Sequence, residues 1–213
     1  MTNIKKRAVI VGGGEISLYE RVRSFFCDSD YFVFCDGGLH HKEGLGVEPD
    51  LIIGDFDSYP RKEYGVETIV LPEEKDDTDS LSGVKAAMER GFEDFLLVGM
   101  TGRRMDHTLC NIYLLDYIKR NGGKALLVDD WSEMEIVEKE EVLVPDTYAY
   151  FSLIAWKGKC QGVYIDNALY PLCDALIESH YQYGISNEPL EGGSKIRVEK
   201  GSALLIKDWK KEK

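Results

Sequence analysis

The sequence predicts an α/β fold up to about residue 134 and a small antiparallel β domain after it, on three observations. Short continuous apolar runs rich in Val and Ile recur as far as Val128, each closed by Gly, Asp or Pro. Segments with helical periodicity stand between them. After Trp131 that periodicity fades, and β-rich segments follow one another with only turn residues between. Continuous strands separated by helices imply a mostly parallel sheet with helices on both faces. Ligands of such sheets bind beyond the carboxyl ends of the strands.

The elements follow in order. Arg7 to Val11 is a strand ending on Gly12 to Gly14, and a helix is expected over Ser17 to Cys27, where Ser17 and Glu20 have capping-box spacing. Tyr31 to Cys35 is a second strand, stopping at Asp36, Gly37 and Gly38. Asp50 to Gly54 is a third, running onto Asp55 to Ser58, and Glu67 to Leu71 a fourth, halted by Pro72. Asp76 to Gly91 reads as a helix: Leu81, Val84 and Met88 share a face, and Gly91 suits the residue after its end. Asp94 to Met100 is a fifth strand. Met105 to Gly123 is a helix with Leu109, Ile112 and Leu115 in step, and Lys124 to Asp130 is a sixth strand. Residues 135–213 form the β domain, from the segments Met134 to Val144, Tyr148 to Trp156, Gly162 to Leu172, Ser194 to Gly201 and Ser202 to Trp209.

Composition narrows the function. At 213 residues and 44% hydrophobic, the chain holds one substantial core, or a medium domain and a small one. A net charge of −12 argues against nucleic acid, whose phosphates call for Lys and Arg. Val9 to Val11 is too brief for a signal-peptide core, and no run approaches the roughly 18 to 20 apolar residues of a membrane span, so no membrane partner and a cytoplasmic location are expected. The five cysteines (Cys27, Cys35, Cys110, Cys160, Cys173) form no CxxC pair and are expected to be buried free thiols. The histidines show no HxxxH or HExxH spacing, so zinc has little support. His40 and His41 are expected to be solvated in a loop.

Three sets of residues can carry chemistry. In an extended strand end, Asp55 and Asp57 point to one side, which suits a hard divalent cation. Asp and Ser also favour turns for local reasons, so this pair alone leaves both readings open. Glu73 to Asp79 enters a helix, where Asp77 or Thr78 suits a cap and acidic residues complement the macrodipole. Asp76 and Asp79, three apart, share a face. Were these carboxylates to converge, each pair about 4 Å apart would repel by roughly 4 kcal/mol at an effective dielectric of about 20. Magnesium fits such a cluster, since it takes few carboxylates and keeps room for phosphate oxygens and water. The third set is Gly99 to Asn111: Gly99 and Gly102 flank a turn whose N–H groups can meet an anion, Arg103 and Arg104 are available for phosphate forks, and His107 and Asn111 share a helix face. The first glycine turn has neither GxGxxG spacing nor a GK[ST] ending.

Together, "CDGG" (Cys35 to Gly38), "PDLIIGDFDS" (Pro49 to Ser58), "EKDDTD" (Glu74 to Asp79) and "TGRRMDHTLCN" (Thr101 to Asn111) resemble the ordered signature of the thiamin pyrophosphokinase family. "YPL" (Tyr170 to Leu172) and "GISNE" (Gly184 to Glu188) resemble its small domain. The resemblance implies an α/β ATP-binding catalytic domain over residues 1–134, a β-sandwich thiamin-binding and dimerisation domain over residues 135–213, and a homodimer. It implies transfer of the β,γ-pyrophosphoryl group of ATP to the hydroxyl of thiamin, giving thiamin diphosphate and AMP. Asp55, Asp57, Asp76 and Asp79 would then be catalytic, with Mg2+ held by Asp55, Asp57 and Asp79. Asp36, Gly37, Ser58, Thr78, Arg103, Asp106, His107 and Asn111 would bind ATP, and Ser186 and Asn187 thiamin. Asp106 suits either side, and Trp131 or Trp156 could stack on the cationic thiazolium. The family has a second glycine where this chain has Arg103.

Two other readings compete. One is a different Mg-dependent nucleotide phosphohydrolase or nucleotide-sugar transferase, which has no need of the second acidic set together with the Asp106 to Asn111 helix. The other is a non-catalytic nucleotide-sensing module, which could bind through backbone amides at lower electrostatic cost.

Overall fold

The computed structural model describes residues 6–56, 65–72, 74, 76–102 and 104–210. The chain divides into two units, Met1–Asp130 and Trp131–Lys213. In the first, six strands lie side by side: β1 (Arg7–Val11), β2 (Asp30–Cys35), β3 (Leu51–Gly54), β4 (Glu67–Val70), β5 (Asp94–Val98) and β6 (Lys124–Val128). Their order is β6-β5-β1-β2-β3-β4, and every neighbouring pair is parallel. Val9, Ile10, Val11, Phe34, Leu96, Leu97 and Val98 are fully enclosed, which is why these strands read as continuous apolar runs.

Among the described residues the α-helices of this unit are, in chain order, α1 (Tyr19–Arg23), α2 (Lys42–Leu45), α3 (Asp79–Glu89) and α4 (Met105–Arg120). Gly83 of α3 lies against Ile10, Val33 and Cys35, and α4 packs beside α3. Alternation along β2 turns Phe32 to the other face. There Phe26, just after α1, meets it edge-on with ring centroids 5.1 Å apart. Both faces are therefore covered, as predicted.

Three local expectations fail for physical reasons. The capping box at Ser17 and Glu20 is not formed, and α1 has only five residues. Its leading amides are instead held by a carboxylate from far along the chain: Ser17 N–H donates to Asp130 Oδ2 at 2.8 Å and Leu18 N–H to Oδ1 at 2.9 Å. Arg21 adds a bond to the Asp130 carbonyl at 3.3 Å. On α4 the buried stripe is Asn111, Leu114, Leu115 and Ile118, while Leu109 is exposed. Of the cysteines, all free, only Cys35 and Cys160 are buried. The expected caps on α3 do form: Thr78 Oγ1 accepts from Leu81 N–H, and Gly91 follows the helix with φ +85°.

The second unit is antiparallel: β7 (Ser132–Val137), β8 (Val142–Val144), β9 (Tyr148–Asp166), β10 (Leu172–Glu178) and β11 (Ser194–Trp209). Its order is β10-β9-β11-β7, with β8 also on β11. Segments that read as four strands are here two long ones, β9 and β11. Their turn-like residues are kinks inside a continuous ladder. Register between β9 and β11 shifts at Lys200/Ser202, and Gly201 takes φ +94° where a Cβ would stand 2.4 Å from the Lys159 carbonyl oxygen. The two halves share one core, with Phe151, Leu153 and Leu205 from one and Val163, Ile165 and Ile196 from the other. One bent ladder thus supplies both layers of the sandwich.

Asp130 is 7% exposed, so its loss leaves two backbone donors poorly satisfied. Replacing it with Ala is expected to cost about 2 kcal/mol and to lower Tm by roughly 4–8 °C in a thermal melt. An unchanged Tm would show that α1 does not depend on this cap.

Candidate functional site

A cleft of about 960 Å³ opens at the carboxyl ends of the parallel strands, within the first unit. Two glycine turns form its floor, joined backbone to backbone. Gly12 N–H donates to the Val98 carbonyl at 2.9 Å, Gly14 N–H to Gly99 at 2.7 Å and Glu15 N–H to Thr101 at 2.8 Å. A Cβ on Gly14 would lie 2.2 Å from the Thr101 carbonyl oxygen, so only glycine allows this approach.

Three carboxylates meet beside these turns. Asp36 follows β2, Asp55 follows β3 and Asp79 begins α3, and one oxygen from each lies within 4.8 Å of the others. Asp36 is 5% exposed, and its φ of +29° is unusual for a residue other than glycine. Hard oxygen donors this close suit a divalent cation. Burial, reinforced by Asp79 and Asp36, pushes the neighbouring Cys35 thiol far up.

Several sequence-predicted residues converge here. Asp36, Gly37, Asp55, Thr78 and Asp79 line the cleft, as do His107 and Asn111. Asn111 is buried, and its Nδ2 donates to the Met100 carbonyl at 2.9 Å, which ties α4 to the strand end. Asp76 is exposed and stands outside the described triad. Asp106 is exposed too, with Oδ2 2.6 Å from Arg104 Nη2. That hydrogen bond draws its carboxyl down to about 2. Asp57, Ser58 and Arg103 lie outside the described residues. Phe56 has φ +62°, so the extended alternation expected from Asp55 to Asp57 is interrupted.

In the second unit, Ser186 is exposed with φ +55°, and its N–H donates to Ser152 Oγ at 3.1 Å. Asn187 is buried, and its amide grips the backbone of Tyr170. Oδ1 accepts from Tyr170 N–H at 3.0 Å and Glu188 N–H at 2.9 Å, while Nδ2 donates to the Tyr170 carbonyl at 2.8 Å.

Sequence reasoning placed His41 in solvent, yet it is 2% exposed. Its Nδ1 is 2.8 Å from the Tyr19 hydroxyl and its Nε2 2.7 Å from the Gly14 carbonyl oxygen. The adjacent His40 is exposed, as expected. Arg104, expected from the sequence to be available for a phosphate fork, does line the cleft, and Tyr19 lines it without having been singled out. Arg104 immediately precedes α4.

A family model for the thiamin pyrophosphokinase catalytic domain matches residues 22–127. Thiamine pyrophosphokinase of Bacillus subtilis strain 168 is 26% identical over 211 residues, spanning 93% of this chain and 96% of that protein. The crystal structure of thiamine pyrophosphokinase from Bacillus subtilis superposes with a TM-score of 0.85 at 23% identity, covering 97% of this chain and 100% of that one. A thiamin pyrophosphokinase family protein from Enterococcus faecalis has a TM-score of 0.81 at 25% identity, covering 97% and 100%.

Two measurements follow from this geometry. Without a cation the three carboxylates repel by roughly 4 kcal/mol a pair at an effective dielectric of about 20, which outweighs the favourable charge of Asp79 in the first turn of α3, so Asp79→Asn is expected to raise the Tm of chelator-treated protein. Added MgCl2 should stabilise the wild type and not the variant; equal stabilisation of both would remove the triad as the binding site. Burial lowers the pKa of His41, so below about pH 6.5 the unfolded chain takes up this proton first. Stability is therefore lost as pH falls through that value and is unaffected by this group above it. Denaturant melts from pH 7.5 to 5.5 should show a shallower decline in His41→Phe than in the wild type, and parallel declines would contradict this.

Proposed function

The chain belongs to the thiamin pyrophosphokinase family, and we propose that it transfers the β,γ-pyrophosphoryl group of ATP to the hydroxyl of thiamin, releasing AMP and thiamin diphosphate. The observation that carries this reading is the triad of Asp36, Asp55 and Asp79 beside two interlocked glycine turns. That pairing suits a triphosphate: carboxylates for a cation, glycine turns that leave room for a close approach, and Arg104 for phosphate oxygens.

Mg2+ fits the donor set, because each carboxylate offers an oxygen within 4.8 Å of the others. Asp55 and Asp79 would hold it, with Asp57 by resemblance and Asp36 as the third described carboxylate. Bound there, it would offset the charge of the triphosphate, the main requirement in phosphoryl-type transfer. Asp76 would act from the exposed end of the same acidic segment.

The chain's own groups do the rest. Gly37, Ser58, Thr78, Arg103 and Asp106 would line the nucleotide, with His107 on the α4 face and Asn111 bracing that helix. The thiamin hydroxyl would attack the β-phosphorus directly, AMP leaving. Asp106, with its carboxyl near 2, is too weak a base to take the hydroxyl proton at neutral pH. Residues 1–134 would then be the ATP-binding catalytic domain, and residues 135–213 would bind thiamin through Ser186, with Asn187 holding Tyr170 in place, and form the homodimer. Among the described residues no helix is long and apolar enough to cross a membrane, and we place the protein in the cytoplasm.

Incubation with ATP, MgCl2 and thiamin should yield AMP and thiamin diphosphate in equal amounts by chromatography. Asp55→Asn should lower kcat/KM by about 100-fold or more. Phosphate release without thiamin would favour a phosphohydrolase instead, and ATP binding without AMP would favour a sensing module.

A further inference from the structure

A chain of part-buried hydrogen bonds in the wall of the cleft has no role in the reaction proposed for it. His41 ends the short 3-10 turn Asp36–His41 that leaves β2. Its two ring nitrogens engage two other elements, the Tyr19 hydroxyl on α1 and the Gly14 carbonyl after β1. A carbonyl only accepts, so Nε2 carries the proton, and in the neutral ring Nδ1 accepts from the tyrosine hydroxyl. The rings of Tyr19 and His41 also meet edge to face, with centroids 5.8 Å apart.

The bond to Gly14 matters because of what that carbonyl belongs to. The peptide joining Gly14 to Glu15 is held at its other edge too, where Glu15 N–H donates to Thr101 at 2.8 Å. Glycine turns have wide backbone freedom, and a rotated peptide here would present a carbonyl oxygen to anionic phosphates. With both edges tied, rotation would break two hydrogen bonds, one of them to the enclosed His41 ring. Accepting this cleft as the ATP site, we propose that His41, supported by Tyr19, is a positioning residue that locks the Gly14–Glu15 peptide in the orientation that admits the triphosphate.

Neutrality of the ring suits this role. The groups facing it are His40 beside it, Tyr19 from α1 and Asp130 after β6, and burial outweighs the carboxylate in keeping the pKa down. Asp130 is itself committed to the amides of Ser17 and Leu18. The same carboxylate thus anchors the helix that carries Tyr19.

The test separates binding of the two substrates. His41→Phe keeps a ring of similar size and loses both hydrogen bonds; it is expected to raise KM for ATP about tenfold, with KM for thiamin unchanged. His41→Gln keeps a donor for the Gly14 carbonyl and should recover most of the loss. Tyr19→Phe should raise KM for ATP a few-fold alone and add nothing in the His41→Phe background. It removes one oxygen atom only, and so supplies the measurement if His41→Phe does not fold. Direct binding of a fluorescent ATP analogue should weaken in the same order. This second readout separates the two ideas: a wild type that binds the analogue but makes no AMP sinks the proposed reaction and leaves His41 to be judged by binding. Equal rises in both KM values, additive effects of the two variants, or analogue binding that is unchanged or absent would overturn the role of His41.

Discussion

The cleft depends on direct backbone contact between the ends of β1 and β5. These neighbouring parallel strands could diverge once past the sheet, but three N–H to carbonyl bonds from Gly12, Gly14 and Glu15 keep their exits together. The contact needs glycine on the β1 side because the Thr101 carbonyl occupies the space of a Cβ on Gly14. From this junction the rest is placed. The carboxylates stand at the ends of β2 and β3 and at the start of α3, and Asn111 ties α4 to the Met100 carbonyl.

The same region concentrates electrostatic cost. Asp36 is nearly enclosed, adopts a backbone conformation that disfavours a side chain, and faces two further carboxylates. A fold selected only for stability would not retain that grouping. Enclosed strands supply the opposing term, since burying each large aliphatic side chain contributes roughly 1.5–3 kcal/mol. Strand core and acidic rim are continuous in the chain: Ile53 is buried and Asp55, two residues on, is in the triad.

How much of this was legible depended on the range of the interaction. Continuous apolar runs and glycine punctuation are local, and they marked all six parallel strands, the α3 cap and the acidic segments. The order β6-β5-β1-β2-β3-β4 brought Asp36 into the triad, and no spacing along the chain announces that. Ser17 and Glu20 had the spacing of a cap and were overruled by Asp130, more than a hundred positions away. His41 looked like a loop residue because its partners, Tyr19 and Gly14, come from other turns of the chain. Gly158 and Gly201 read as turns because a kink inside a strand and a turn between strands use the same residues.

That last ambiguity bears on how the second unit assembles. β11 pairs with β7, β8 and β9, so those three share a strand that follows them all in the chain. Until it has left the ribosome, β7 and β8 lack that ladder partner, and β9 has β10 and the bridge between Phe151 and Asn187. Pairings this distant in sequence close slowly, and they expose unpaired edges meanwhile. The parallel sheet of the first unit is complete in sequence by Val128. Synthesis from the N-terminus therefore delivers the cleft first, while the β unit waits on its shared strand.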